Sequence, residues 1–401
     1  MTAMPQTDAL AGIRVLDFTS MIAGPYAGRL MADVGAEVIK IEPPGGEDMR
    51  QRAPLREGHS TYFGQLNAGK KSVALDMKTP QAIALVKQMV VKADVVLENF
   101  RPGVMARLGL DYETLAAINP RLVYCSISGH GQTGPKADQP AYAPIVHASS
   151  GFDRALMHYA GDRKQPAAGA VFIADILGGI YAMSGIQTAL LQRSQTGLGQ
   201  RVDVALTDCM LNLLVYELQA AQLPPAAARF TYGPIRANDG DLIVTPITHR
   251  NFLAMCDAIG RPELKSDERF ATIAMRSRNW RDLMNTVEEW SKARTVAECV
   301  AAFDAGGVPS ARYNDPVDAL TDEQLLSRGT FVKVRDAVGE FTGVNPPYRL
   351  SGSRADLRSP VPESGEHTEA VLREVLGLGA DKLRQAREQG IFGKQAPVPD
   401  A

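Results

Sequence analysis

The sequence predicts an α/β protein in which a large domain, built on a largely parallel sheet, is joined to a smaller α+β domain. Three observations carry that prediction. Short β-branched apolar runs alternate with helix-period segments through the first half of the chain. Gly-Pro and Thr-Pro breaks stand where a strand hands over to a helix. Beyond residue 222 the tone changes to short strands, several helices and a C-terminal return of strand-like sequence.

The elements follow in order. Residues 13–18 read as a strand, Ala23-Gly24-Pro25 breaks it, and a helix runs on to Gly35, with a second strand over residues 37–41. Residues 72–75 form the next strand, Thr79-Pro80 opens a helix to residue 91, and strands over 95–97 and 122–127 flank a helix containing 115–118. A long apolar helix spans 175–192, closed by Gly197 and Gly199, and is expected to be buried rather than membrane-spanning because Asp175, Gln187 and several glycines interrupt it. A strand over 201–206 and a helix over 208–222 complete the first domain, residues 1–222. Pro224-Pro225 opens a linker to a small domain over 223–325, with a strand at 242–245 and helices at 251–259, 280–290 and 295–305. Residues 326–401 return to the large domain through a strand at 331–334 and helices at 367–376 and 380–389.

Composition bounds the function. The 401 residues are 45% apolar and 22% charged, with 43 Lys and Arg against 45 Asp and Glu, a net charge of −2. That balance gives no global attraction to nucleic acid or to an anionic membrane, and neither is expected as a partner. Cys125, Cys209, Cys256 and Cys299 stand far apart, no CxxC pair occurs and the histidines lack ligand spacing, so no metal site is expected. Buried thiols in a reducing, cytoplasmic compartment fit this pattern, and no signal-peptide pattern precedes the first strand.

Several segments could carry chemistry. Gly129-His130-Gly131-Gln132-Thr133-Gly134 has dinucleotide spacing, but it follows the fifth strand and runs into Pro135 and Pro140 rather than a helix. It therefore reads as a loop that lets backbone approach something closely. Gly24-Pro25 is either a tight turn or an anion site at a helix start. Residues 98–103, Glu-Asn-Phe-Arg-Pro-Gly, end a strand where α/β folds bind ligands, or cap the following helix. Asp175 stands at the start of the long helix, beside Gly178-Gly179. Locally it reads as a helix cap or first-turn residue; the alternative is a carboxylate nucleophile held at a helix N-terminus. Gly-x-Ser-x-Gly, His-Glu-x-x-His and Walker motifs are absent, which disfavours the corresponding hydrolases and NTPases.

Taken together, Leu16-Asp17-Phe18 with Ala23-Gly24-Pro25, residues 35–43, 67–71, 75–78, 98–103, 129–135 and 197–204 resemble the class III CoA-transferase family over residues 10–375. The resemblance implies a Rossmann-like large domain and an interlocked homodimer in which the small domain of one chain covers the active site of the other. It implies coenzyme A thioesters as substrates, with no permanently bound cofactor. It places Asp175 on the family's nucleophilic aspartate. Met21, Ile22 and Ala23 fall where the first loop meets CoA, Leu75, Lys78, Asn99 and Phe100 at adenine-side positions, followed by Arg107 and Leu108, and Tyr142 near the thioester.

Departures narrow the substrate. Pro43-Pro44 replaces an arginine that some members use on the CoA phosphates. The run of four glycines of the formyl-CoA enzyme is missing, with Thr231-Tyr232-Gly233-Pro234 the nearest stretch. Ile22 replaces a glutamine of the oxalate enzyme. The resulting expectation is CoA exchange between an acyl-CoA and a small dicarboxylic or hydroxylated acid through an aspartyl-CoA intermediate, with backbone N–H groups near Gly178 or in the small domain stabilising oxyanions. An α-methylacyl-CoA racemase is the alternative. Its histidine position is filled by Asp138, and His147 reads as a helix-packing or polar-pocket residue. A non-catalytic CoA-binding protein is the third reading.

Overall fold

The computed structural model describes residues 7–161, 163–167, 169–223 and 231–393. The expected linker at Pro224-Pro225 lies outside the described residues. The chain forms two compact units, Met1–Val215 with Ser327–Ala401, and Tyr216–Leu326.

The first unit contains β1 (Arg14–Asp17), α1 (Ala23–Asp33), β2 (Glu37–Glu42), the hairpin β3 (Leu55–Arg56) and β4 (His59–Ser60), α2 (Thr61–Asn67), β5 (Lys71–Ala74), α3 (Pro80–Val90) and β6 (Val95–Glu98). It continues through α4 (Val104–Arg107), α5 (Tyr112–Ile118), β7 (Val123–Ser128), α6 (Ala143–Ser150), α7 (Phe152–Tyr159), α8 (Ile173–Thr196), β8 (Arg201–Ala205) and α9 (Leu206–Leu213). Six strands pair in the order β5-β2-β1-β6-β7-β8, every neighbour parallel, with Leu16 opposite both Ile39 and Val96. The order reverses between β1 and β6, and ligands of such sheets bind outside the strand ends at that reversal.

Strand alternation feeds two apolar layers. Val15, Val95, Leu97, Val123 and Cys125 pack with α1 and α8 through Ala27, Met31, Ala182 and Ile186. Leu16, Ile39, Val73, Val96 and Tyr124 pack on the other face with Val86 and Met89 of α3, and with Val371, Leu372 and Leu383 from the C-terminal helices Thr368–Leu376 and Ala380–Glu388. All four cysteines are buried free thiols.

Three expectations are corrected. α8 begins at Ile173, with Phe172 at the N-cap, so Asp175 lies inside the first turn. It is not a wholly buried helix: Gly178, Gly179, Ala182 and Ile186 face the core, whereas Ile176, Ile180, Tyr181 and Leu191 are exposed. Length and composition alone would let it cross a membrane. The helix expected at 208–222 breaks at Leu214, whose backbone leaves the helical region, and restarts as Val215–Ala220.

The second unit carries a three-stranded antiparallel sheet, Ile235–Arg236, Asp241–Val244 and Ser310–Arg312, with helices at His249–Ala258, Trp280–Ser291 and Val296–Ala305 over a core of Phe252, Phe270, Leu283 and Phe303. Thr295 and Glu298 close a capping box on the last of these helices.

A buried ionic network shapes the turn after β1. Lys70 Nζ donates to Asp17 Oδ2 at 2.8 Å, to Pro25 O at 2.9 Å and to Asn67 Oδ1 at 2.9 Å. Lys40 Nζ donates to Thr19 O at 2.8 Å and pairs with Glu47 Oε1 at 2.7 Å. Glu47 Oε2 accepts the Met21 N–H at 3.0 Å, and Glu42 is clasped by Arg50 and Ser72. Burial pushes the Asp17 carboxyl up, and Lys70 and Lys40 more than reverse it, so Asp17 stays below the usual carboxylate range. Gly24 and Gly28 make room: a Cβ on Gly24 would stand 2.2 Å from Thr19 Cγ2, and one on Gly28 2.7 Å from Asp17 Oδ2. Thr19 thus packs against Gly24 in a tight turn at the start of α1.

Asp17→Ala leaves Lys70 and Lys40 buried without that counter-charge. Urea denaturation should show a loss of about 3–5 kcal/mol; a loss below about 1 kcal/mol contradicts this role for the network.

Candidate active site

A cavity of about 410 Å³ opens at the C-terminal ends of β1, β2, β5 and β6. Phe18, Ile41, Leu75, Met77, Phe100 and Leu108 supply apolar walls, while Glu47, Asp48, Asp76 and Lys78 bring charge to it. Lys78 is the one base among its described lining residues, beside Glu42, Glu47, Asp48 and Asp76. Of the residues expected to hold CoA, the structure brings Met21, Leu75, Lys78, Phe100 and Leu108 to this lining, together with Pro43 and Pro44. Asn99 stands behind it and fastens the wall: its Oδ1 accepts Ser20 N–H at 2.9 Å and its Nδ2 donates to Ser20 O at 2.8 Å. Ile22 is buried with Met49, Phe63 and Leu66, Ala23 opens α1, Arg107 is exposed at the end of α4, and Tyr142 is 64% exposed just before α6.

The loop between β1 and α1 is held under strain. Met21 has φ of 65°, a left-handed conformation unfavourable for a side chain with a Cβ, and its N–H is captured by Glu47. Glu98, at the end of β6, accepts the Phe100 N–H at 2.9 Å, and burial pushes its carboxyl up to about 7.

The other end of that loop reaches Asp175. The Ala23 N–H, at the start of α1, lies near enough to the Asp175 carboxyl to favour its ionised form, so the positive ends of α1 and α8 face one group. Burial nevertheless pushes Asp175 up to about 6, with the Ala23 N–H pulling the other way. Of the two local readings, cap or first-turn residue, the structure shows the second: Asp175 lies in the first turn of α8 and makes no capping bond.

The glycine pair explains the approach. A Cβ on Gly179 would lie 2.8 Å from Ala23 O and 2.9 Å from Tyr26 Cδ1, and one on Gly178 would lie 2.3 Å from Leu206 Cδ2. Gly178 is therefore a buried packing residue within α8.

Two further side chains lie near this turn of α8. Ala174 N–H donates to Nε2 of His147 at 3.1 Å; the imidazole is buried, its ring 5.4 Å from Phe152, and burial holds it below the ordinary histidine value against the pull of Asp153. The polar-pocket reading of His147 is what the structure shows. Tyr62, on α2, was not anticipated; burial raises its phenol and the charge of Asp175 raises it further. An aromatic with no neighbouring chemistry in sequence gives no signal of such a contact.

The loop over residues 129–134 behaves as expected. Thr207 N–H and Oγ bond to Gly129 O at 3.0 and 2.8 Å, Gln132 N–H to Asp203 Oδ2 at 3.0 Å, and the next helix opens only at Ala143. No helix N-terminus follows the third glycine.

The chain is similar to known proteins along most of its length. The profile of CoA-transferase family III matches residues 10–368. The succinate–glutarate CoA-transferase of Agrobacterium fabrum is 36% identical over 399 residues, 94% of this chain and 98% of the relative. The acetyl-CoA:oxalate CoA-transferase of Acetobacter aceti is 37% identical over 376 residues, 90% of this chain and 95% of the relative. A crystal structure of a CAIB/BAIF family protein from Brucella suis superposes with a TM-score of 0.81 at 34% identity, covering 92% of this chain and 100% of that one.

A carboxyl with a folded value of about 6, against 3.8 when free, makes ionisation oppose folding. Stability is lost as pH rises from about 4 to about 6 and is not regained above it. Asp175→Asn escapes that cost. Above pH 6 it should be more stable than the parent by about 2 kcal/mol in denaturant melts, at roughly 1.4 kcal/mol per pKa unit less a discount for residual solvent. The gap should close below pH 4; an Asn variant less stable at neutral pH contradicts the reading.

Proposed function

The chain belongs to CoA-transferase family III, and on that footing we propose that it moves coenzyme A from an acyl-CoA to a small dicarboxylic or hydroxylated carboxylic acid, with Asp175 as nucleophile. The observation that carries the proposal is the convergence of the Ala23 N–H and the first turn of α8 on a half-buried carboxylate. Relatives named for succinate–glutarate and for oxalate exchange support dicarboxylic substrates.

Exchange needs no nucleotide hydrolysis, and we infer that no resident metal or cofactor takes part: a thioester and an acyl anhydride conserve the acyl group's activation. The Asp175 carboxylate attacks the acyl-CoA carbonyl, forming a mixed anhydride and releasing CoA thiolate. The thiolate attacks the aspartyl carbonyl, the donor acid leaves, and an Asp175–CoA thioester remains. The acceptor carboxylate repeats both steps in reverse. The Ala23 N–H serves as donor to the aspartyl oxygen while it carries developing charge, a contribution of a few kcal/mol for a well-aimed donor. The cavity beside Leu75, Lys78 and Phe100 holds the nucleotide end of CoA in this reading, and Asn99 fixes its wall. His147 spends Nε2 on the Ala174 N–H, which removes support from the racemase alternative.

We also propose a homodimer, interlocked as the family resemblance implies. The exposed apolar side of α8, with Ile176, Ile180, Tyr181 and Leu191, supports a second copy as its cover. The buried free thiols support a cytoplasmic location. Sedimentation at micromolar concentration should give the mass of two chains; a monomer refutes the dimer.

Incubation with succinyl-CoA followed by hydroxylamine should leave a hydroxamate on Asp175, identified by peptide mass spectrometry. Asp175→Asn should fold and lose activity by roughly 10³-fold or more. An adduct on another residue, or near-normal transfer by the Asn variant, overturns the nucleophile assignment.

A further inference from the structure

The helix that carries Asp175 is fastened at its first turn by a titratable side chain from another helix. The Ala174 N–H, one of the orphan donors at the start of α8, reaches Nε2 of His147 on α6 at 3.1 Å. The ring is buried and braced by Phe152, so it has little room to turn away. Nε2 accepts only while it carries no proton, which places the proton of the neutral ring on Nδ1.

We propose that His147 is a positioning residue for Asp175: its unprotonated Nε2 holds the Ala174 N–H and thereby fixes the turn from which the carboxylate meets the acyl carbon. The proposal rests on Asp175 being the nucleophile. Protonation turns the acceptor into a donor facing a donor, so the bond is lost and a positive charge is set beside the residue next to Asp175.

The elements packed against α6 bring these groups. Asp153 on α7 raises the proton affinity of the ring, Asp175 on α8 adjoins the bond, and α9 carries Asp208 and the buried thiol Cys209. Burial outweighs Asp153 and keeps the ring neutral down to below its ordinary value, while Asp175 ionises near 6. Activity therefore requires two deprotonated groups, and the acid limb of log kcat should steepen toward a two-proton dependence once the pH is below both.

The test compares His147→Ala and His147→Gln with the parent enzyme, using succinyl-CoA and glutarate as probes. Near pH 8, Ala should cut kcat about 10-fold or more while KM for the thioester stays within about 2-fold. Gln, an acceptor that does not titrate, should restore kcat to within about 3-fold, and its acid limb should fall with a one-proton dependence. An unchanged kcat in the Ala variant, or a Gln variant that keeps the parent's two-proton limb, overturns the proposal. If the Ala variant does not fold, the slope in the Gln variant decides alone. Hydroxylamine trapping in the parent enzyme separates the two readings. No adduct on Asp175 sinks the nucleophile assignment, whereas an adduct there with His147 variants of unaltered rate and slope sinks only the positioning role.

Discussion

Asp17, at the end of the central strand, is wholly buried between two lysines, and the site is built outward from that pairing. An ion pair in such a place is costly to desolvate, and its gain in stability over apolar residues is small. What it does here is set a conformation. Asp17 and Lys70 fold Thr19 back against Gly24, Lys40 ties the Thr19 carbonyl to Glu47, and Glu47 captures the N–H of the strained Met21. With three acids and three bases, Asp17, Glu42 and Glu47 against Lys40, Lys70 and Arg50, the network is formally neutral, so it adds no net charge to the cavity it borders.

That loop has two working faces. Phe18 through Met21 form part of the cavity wall, and two residues later the chain begins α1 with the N–H that meets Asp175. Gly178 and Gly179 then let α8 lie against α1 and Leu206 closely enough for the contact. A charge held where burial raises it to about 6 costs the fold something, and two helix N-termini offset only part of that cost. Such a carboxylate is ionised at neutral pH yet poorly solvated, which is the condition a carboxylate nucleophile needs.

Much of the architecture was legible in the residue pattern. The parallel strands announce themselves by β-branched runs between Gly-Pro and Thr-Pro breaks, and the end of α8 by Gly197, which adopts the left-handed φ of 78° that only glycine takes easily. The start of α8 was misplaced by two residues because Ile173 and Ala174 carry no cap signal; Phe172 makes no capping bond, and the Ala174 N–H is satisfied from α6 instead. The break at Leu214 has no Gly or Pro to mark it. Lys40 carries no signal of burial in the residue pattern, and its partner Glu47 and neighbour Asp17 are adjacent only once the sheet exists. Lys70 and Asp17 are 53 positions apart, His147 and Ala174 27. Asp175 shows the limit most clearly: local rules give a cap or a first-turn residue, and only the family resemblance pointed to chemistry, because the N–H that faces it belongs to Ala23, 152 positions away.

The claim that Asp175 carries the acyl group in covalent form is tested most directly by following oxygen. Each turnover in this mechanism leaves one carboxylate oxygen of the acceptor acid on the aspartyl side chain. Enzyme turned over with succinyl-CoA and 18O-labelled glutarate, then digested, should yield an Asp175 peptide that gains 18O, with the label localised to that side chain by fragmentation. Efficient transfer with an unlabelled Asp175 would contradict the account.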